Sequence, residues 1–397
     1  MSLRDDIEVV LRAWDAHEIA RGAKAVIDYD CCPPPADPPP AASRLDVYRS
    51  FCALRDAASD VGELRLAREI AAHLAYLREL MGHRTPLDDY VRATQGCPAA
   101  GWPDGYVTER RELARAGLLA IGIEWGPDTE RELEETEGIV DLTEAAQAIG
   151  DAAAEMEPGV RAAVGASATY ELSIEAVNED AYWSYWLDGA GQHIRLRINL
   201  RRARFTKVSV RQFALHEILG HALQCACYAA RCAGEVVPWV RVLSVHAPQQ
   251  VAAEGLAQAL PLFITPDDGP VITRVRLDHY LQLVRAELHL AVNAGATIEE
   301  CVAHARSRVP FWTDATIADL LADRGASPLL RSYLWAYPAG LDWFAALADR
   351  AATVAPEVIR AAYREPLTPD DLAVLWPAGP PIGGSGGPVH LRKPAVP

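Results

Sequence analysis

Two histidines five residues apart, with a glutamate beside the first, constrain this chain more than any other feature. They stand in His216-Glu217-Ile-Leu-Gly220-His221. Side chains that share one ion on a helix normally sit at i and i+4. At i and i+5 in a regular α-helix they point about 140° apart, too far round to meet. One extra residue in a single wide turn returns them to one face, and such π-bulges occur inside α-helices, often at functional sites. Gly220 offers room for that distortion. The spacing therefore predicts a helix that is locally π-wound. Ser209-Val-Arg-Gln212 is a candidate capping box for its start. Phe213, Leu215, Ile218, Leu219, Ala222 and Leu223 give it an apolar surface. A buried helix carrying His, Glu and His needs partners for those groups.

A second carboxylate, Glu254, follows in Val251-Ala-Ala-Glu-Gly-Leu-Ala-Gln258. Two imidazoles and a carboxylate, with a fourth position left open for water, make a catalytic zinc site. On this reading His216, His221 and Glu254 are metal ligands and Zn2+ is the cofactor. Glu217 is the general base that takes a proton from water and passes it to a leaving amine. The plainer alternative is a pair of core histidines satisfied by hydrogen bonds.

These residues resemble the glutamate-ligand zinc metallopeptidases, the gluzincins. H-E-x-x-G-H is the motif spacing of dipeptidyl peptidase III. A closer likeness is to the bacterial peptidase-like domain of unknown function 885, whose members read aromatic-x-N-L, H-E-x-x-P-G-H-H-L-Q, E-G-W-A and Y-x-x-G. This chain has Ile198-Asn-Leu200, His216 to Gln224 (H-E-I-L-G-H-A-L-Q), Glu254-Gly-Leu-Ala257 and Tyr337-Pro-Ala-Gly340. It lacks the proline, is one residue shorter between Glu and the second His, and has Ala222 in place of the next His. Glu254-Gly-Leu-Ala257 is also similar to the tubulin tyrosine carboxypeptidases. The resemblance spans roughly residues 190 to 345 and implies a peptidase-like activity. It suggests that His193 to Leu200 is an edge strand that holds substrate, and that Tyr337 donates to the oxyanion. Tyr333, His289 and His246 are the reserve donors. Arg195, Arg197, Arg285 and Arg331 are candidates for binding a substrate carboxylate, since the guanidinium fork matches it.

The rest of the chain sets bounds. A net charge of −16 argues against nucleic acid and anionic membrane as partners. No stretch approaches twenty uninterrupted apolar residues, and acids stand where a signal peptide would be basic, so a cytoplasmic location is expected. The 8 cysteines form no disulfide framework, and Cys225, Cys227 and Cys232 read as buried thiols rather than a second metal site. Helical periodicity runs through most of residues 1–160, interrupted by the proline-rich connector Cys31 to Ala42 and a breaker-rich loop at Gly96 to Gly105. Strand character is confined to Tyr170–Ala176 and His193–Leu200, with a turn signal at Asp188-Gly-Ala-Gly191. Tyr182, Trp183, Tyr185 and Trp186 precede that turn, and aromatics beside a sheet are more often core than pocket wall. From Pro377 onward the chain has linker composition.

The expected architecture is mainly α, with a small antiparallel sheet beside the active-site helix. A helical region at 1–160 packs with a catalytic region at 161–365, followed by a Pro/Gly-rich tail at 366–397. The expected activity is zinc-dependent hydrolysis of a peptide or small amide. Alternatives are a tailoring amide hydrolase of a biosynthetic pathway, a metal-free binding protein on a peptidase-derived fold, and a structural zinc site with His246 or a cysteine as fourth ligand.

Overall fold

The computed structural model describes residues 2–36, 38–180, 184–387 and 391. Among these the fold is mainly α-helical, with a small five-stranded sheet. The central element is one continuous helix in three windings: α-helical Lys207–Phe213, π-helical Ala214–Ala222 and α-helical Leu223–Gly234. The wide turn required by the histidine spacing lies on the motif itself. The capping box exists but begins three residues earlier than the sequence suggests: Thr206 accepts from the Ser209 amide, and the Ser209 hydroxyl accepts from the Thr206 amide. Ser209 is thus the third helical residue, not the cap.

Three glycines decide how closely the neighbouring helices approach. Gly255 lies on Gln250–Ile264 and Gly340 on Ala336–Arg350. Their backbones touch, so that a Cβ on Gly255 would stand 2.4 Å from the Gly340 Cα, and one on Gly340 would stand 2.1 Å from the Val251 carbonyl oxygen. Gly220 plays the same part on the π-turn, where a Cβ would meet the Ala257 Cβ at 3.1 Å. Glu254 and Tyr337 are carried to one spot because each stands beside this glycine contact. The Ala336–Arg350 helix is further pinned through Asp342, which accepts from Trp102 Nε1 at 2.8 Å and the Tyr106 hydroxyl at 2.6 Å and faces His279 Nε2 at 2.9 Å.

The sheet is mixed, correcting the antiparallel expectation. In spatial order its strands are Glu171–Val177, His193–Asn199, Tyr185–Ala190, Tyr29–Asp30 and Val242–Leu243. The hairpin joins Tyr185–Ala190 to His193–Asn199, with Asp188 inside a strand rather than in the turn. Glu171–Val177 pairs parallel to His193–Asn199, and Tyr29–Asp30 pairs parallel to Tyr185–Ala190. His193–Asn199 is therefore flanked on both sides and is not the expected edge strand. Local turn signals cannot reveal either parallel pairing, because the partners are distant in sequence. Tyr182 and Trp183 lie outside the described residues.

The helical boundaries follow the periodicity with local breaks. The first helix is Leu3–Ala20, and after the proline-rich connector come Arg44–Asp60 and Leu64–Leu80. Thr129–Glu137 and Leu142–Val164 are separated at Gly138, whose φ is +76°. In the expected tail, Pro369–Leu375 is a helix that buries Leu372, and Gly101 and Gly383 join by a backbone hydrogen bond. At least residues 366–387 belong to the packed body. No helix among the described residues is long and apolar enough to cross a membrane.

The glycine contact gives a direct test. Gly255→Ala or Gly340→Ala must push two backbones apart, with an expected loss of about 1–3 kcal/mol, as for other overpacking changes. Gly159→Ala, where a Cβ meets nothing within 4 Å, should leave the denaturation midpoint unchanged or raise it.

Candidate metal centre

His216 and His221 project from the π-turn with their Nε2 atoms 3.2 Å apart. The Glu254 carboxylate closes the third side, with Oε2 3.5 Å from His216 Nε2 and Oε1 3.6 Å from His221 Nε2. These separations match a metal's demands. Two ligand atoms about 2.05 Å from a tetrahedral ion lie roughly 3.3 Å from each other. Glu254 Oε2 is buried and has no hydrogen-bond partner, an unmet acceptor that a cation would satisfy. Among the described residues these three side chains are the one group of this kind, with ligand atoms all within 4.8 Å of one another. Three protein donors leave an open position.

Glu217 lies beside the ligands rather than among them. Its Oε1 is 3.6 Å from His216 Nε2, and it is buried. Burial raises its pKa above the ordinary carboxylate value and Glu254 adds to the rise, while His216 and His221 oppose it. Glu254 shows the opposite balance. Burial works to raise it, but His221 and His216 outweigh that and hold it well below the usual range. For His221, burial favours the neutral ring, yet Glu254 and Glu217 prevail and raise its pKa to about 9.

Two tyrosines complete the group. The Tyr333 hydroxyl donates to Glu254 Oε1 at 2.5 Å, and the Tyr337 hydroxyl lies 2.8 Å from that of Tyr333. Burial, and after it the Glu254 charge, keeps both phenols protonated. Tyr333 and Tyr337 both line a cavity of about 320 Å³ together with Glu217, His221 and Glu254. Tyr185 and Trp186 of the hairpin also line it, so these aromatics are pocket wall.

The other sequence candidates lie elsewhere. His289 is buried against Trp335, with ring centroids 5.6 Å apart, and does not line the cavity. His246 faces His73, Nε2 to Nδ1 at 2.9 Å, inside an aromatic cluster with Trp14 and Tyr76. It is neither a donor to the site nor a fourth ligand. Arg195 and Arg197 hold Asp188, and Arg331 holds Glu79, Asn293 and the Thr85 carbonyl. Arg285 lies with its guanidinium 5.8 Å from the Trp312 ring. None of the four lines the cavity. All eight cysteines are free. Cys225 contributes to the wall, and no group of three or more potential ligands forms around it among the described residues. The sequence reading missed two wall residues with unsatisfied polar atoms, Asp28 and Gln224. Asp28 precedes a two-residue strand in an irregular segment, and no local pattern marks it.

No family model matches this chain, and no curated protein matches it. Among solved structures it is similar to a protein from Colwellia psychrerythraea described as a "putative lipoprotein", at 16% identity and a TM-score of 0.52. The alignment covers 77% of this chain and 54% of that one, so the chain spans about half the length of that neighbour. At this identity the likeness concerns the fold.

Two measurements probe the geometry. Below pH 9 a metal must displace the His221 proton, so apparent zinc affinity should fall roughly tenfold per pH unit from pH 9 towards pH 7, as read by competition with a chromophoric chelator. A flat profile would show that His221 is already neutral there. Tyr333→Phe removes the hydrogen bond that orients Glu254 and should weaken zinc binding by about 10- to 100-fold.

Proposed function

We propose that the protein is a zinc-dependent metallohydrolase that cleaves a peptide or amide bond. The observation that carries this reading is the convergence of His216, His221 and the unpartnered Oε2 of Glu254, with the buried carboxyl of Glu217 3.6 Å from the first histidine.

Zinc bound by these residues would make water acidic enough to supply hydroxide near neutral pH and would polarise a carbonyl. The chain's own residues supply the rest. Glu217 stands where it can accept the proton of the attacking water and return it to the leaving nitrogen, and its raised pKa suits a group that must both take and give. Tyr333 orients Glu254 through its 2.5 Å hydrogen bond. Tyr337, protonated and within the cavity wall, donates to the Tyr333 oxygen at rest, and turning that hydroxyl into the cavity would let it donate to a developing oxyanion. Tyr185, Trp186, Leu187 and Leu330 add largely apolar surface to the cavity wall. The cavity volume suits a small substrate or one short segment of an extended chain.

The test is metal content and activity together. Purified protein should hold about one zinc per chain, and His216→Ala or Glu254→Ala should lose it. Glu217→Gln should keep the metal and lose about 10²- to 10⁴-fold in turnover of a peptide-library substrate. A wild type that takes up no zinc, or a Glu217→Gln variant as active as wild type, would sink the proposal.

A further inference from the structure

The cavity wall holds two polar groups that the hydrolytic residues do not use. Asp28 lines it immediately before the strand Tyr29–Asp30, with its amide donating to the Leu243 carbonyl at 2.9 Å. That strand is paired on both sides, to Tyr185–Ala190 and to Val242–Leu243, so the position of Asp28 is fixed by the sheet. Its Oδ2 is buried and has no hydrogen-bond partner. Gln224, 2% exposed and three residues past His221, also lines the cavity and leaves its buried Nε2 without an acceptor. Tyr29, Leu187, Tyr228 and Leu243 also line the cavity.

A buried carboxyl oxygen without a partner costs stability, and in a cavity wall it offers an acceptor to a ligand that enters. The charge of that ligand follows from the surroundings. Among the described residues lining the cavity, Asp28, Glu217, Glu254 and Asp323 are acids, and none is Lys or Arg. Asp323 has Arg324, Lys24 and Arg202 within electrostatic reach. Asp28 has the acids Glu254, Asp188 and Asp15, with His221 as its cationic neighbour. Burial first, and then those acids, push the Asp28 carboxyl well above its ordinary pKa. A cation brought beside it reverses that trend, because an opposite charge favours the ionised form. At Asp28 an anionic ligand would meet the same acids, and the cationic side chain of the described wall, His221, already faces Glu254 at 3.6 Å.

We infer that Asp28 and Gln224 form a subsite for a positively charged nitrogen on the substrate, with Asp28 pairing the cation and the Gln224 amide donating to a neighbouring oxygen. This rests on the hydrolase reading for its place in catalysis, and it turns that reading towards substrates with a protonated amine or guanidinium on a short apolar stem. It also reverses the sign suggested by the arginines in the sequence, none of which reaches the cavity wall.

The experiment is calorimetric titration of n-hexylammonium, hexan-1-ol and hexanoate, three probes with the same stem. Each is titrated into metal-free and zinc-loaded protein and into the isosteric variant Asp28→Asn, with zinc content measured on every sample. Hexylammonium should bind metal-free wild type at least tenfold more tightly than hexan-1-ol or hexanoate. Asp28→Asn should remove that preference while keeping its zinc and its thermal midpoint. Hexanoate binding as tightly as hexylammonium, no hexylammonium binding, or an unchanged preference in Asp28→Asn would each overturn the subsite. The wild-type comparison of the three probes decides the matter even if the variant folds poorly. An Asp28-dependent preference in a protein that takes up no zinc would retain the subsite and remove the hydrolase. Zinc uptake and hydrolysis without the preference would do the reverse.

Discussion

The contact between Gly255 and Gly340 is the constraint on which the site depends. Two helices can meet backbone to backbone only where both lack a side chain. Here the residues adjoining or near that contact are Glu254 on one helix and Tyr337 on the other. The close approach holds Tyr337 beside Glu254, where its hydroxyl lies 2.8 Å from that of Tyr333, the group bonded to Glu254 at 2.5 Å. Gly220 extends the same logic to the π-turn, where Ala257 packs into the space beside it. The motif letters E-G and Y-x-x-G thus have a steric reading beside the chemical one: each glycine delivers a functional neighbour.

Much of this was legible in the sequence because the histidine spacing is a geometric statement. Histidines five positions apart cannot meet on a regular α-helix, so a shared site needs a wide turn, and one spans Ala214–Ala222. Glu254 and Tyr333 were legible as residue types at plausible positions, although the bond between them was not. The sheet was legible only in part. Alternation marked His193–Asn199 as a strand, but its neighbours are set by pairings to Glu171–Val177 and, one strand further, Tyr29–Asp30. A two-residue strand has too little pattern to be seen. Asp28 was invisible for the same reason, and His289 was misplaced because a buried histidine against a tryptophan looks, in sequence, like one beside a substrate.

The electrostatics of the centre are those of groups held close against their preference. A low-pKa carboxylate, an imidazole raised to about 9 and a second carboxyl raised above its usual value lie within a few ångströms. Groups whose pKa values are driven apart by burial and mutual charge often mark functional sites. Close ion pairs also stand elsewhere in the chain, such as Arg274 with Glu137 and Arg241 with Glu8. They differ in having their polar atoms satisfied, whereas the centre leaves Glu254 Oε2 unmet.

The cavity wall draws on residues from Asp28 to Leu367, and the strand at Tyr29–Asp30 is clasped between segments that follow it by some 150 to 210 positions. Such a pocket has a very high contact order, and closing it requires loops that pay their entropy before any contact returns it. During synthesis the histidines and glutamates therefore exist as sequence well before they exist as a site. The cavity is expected to close late in folding, and a nascent or truncated chain should carry His216, His221 and Glu254 without the walls around them.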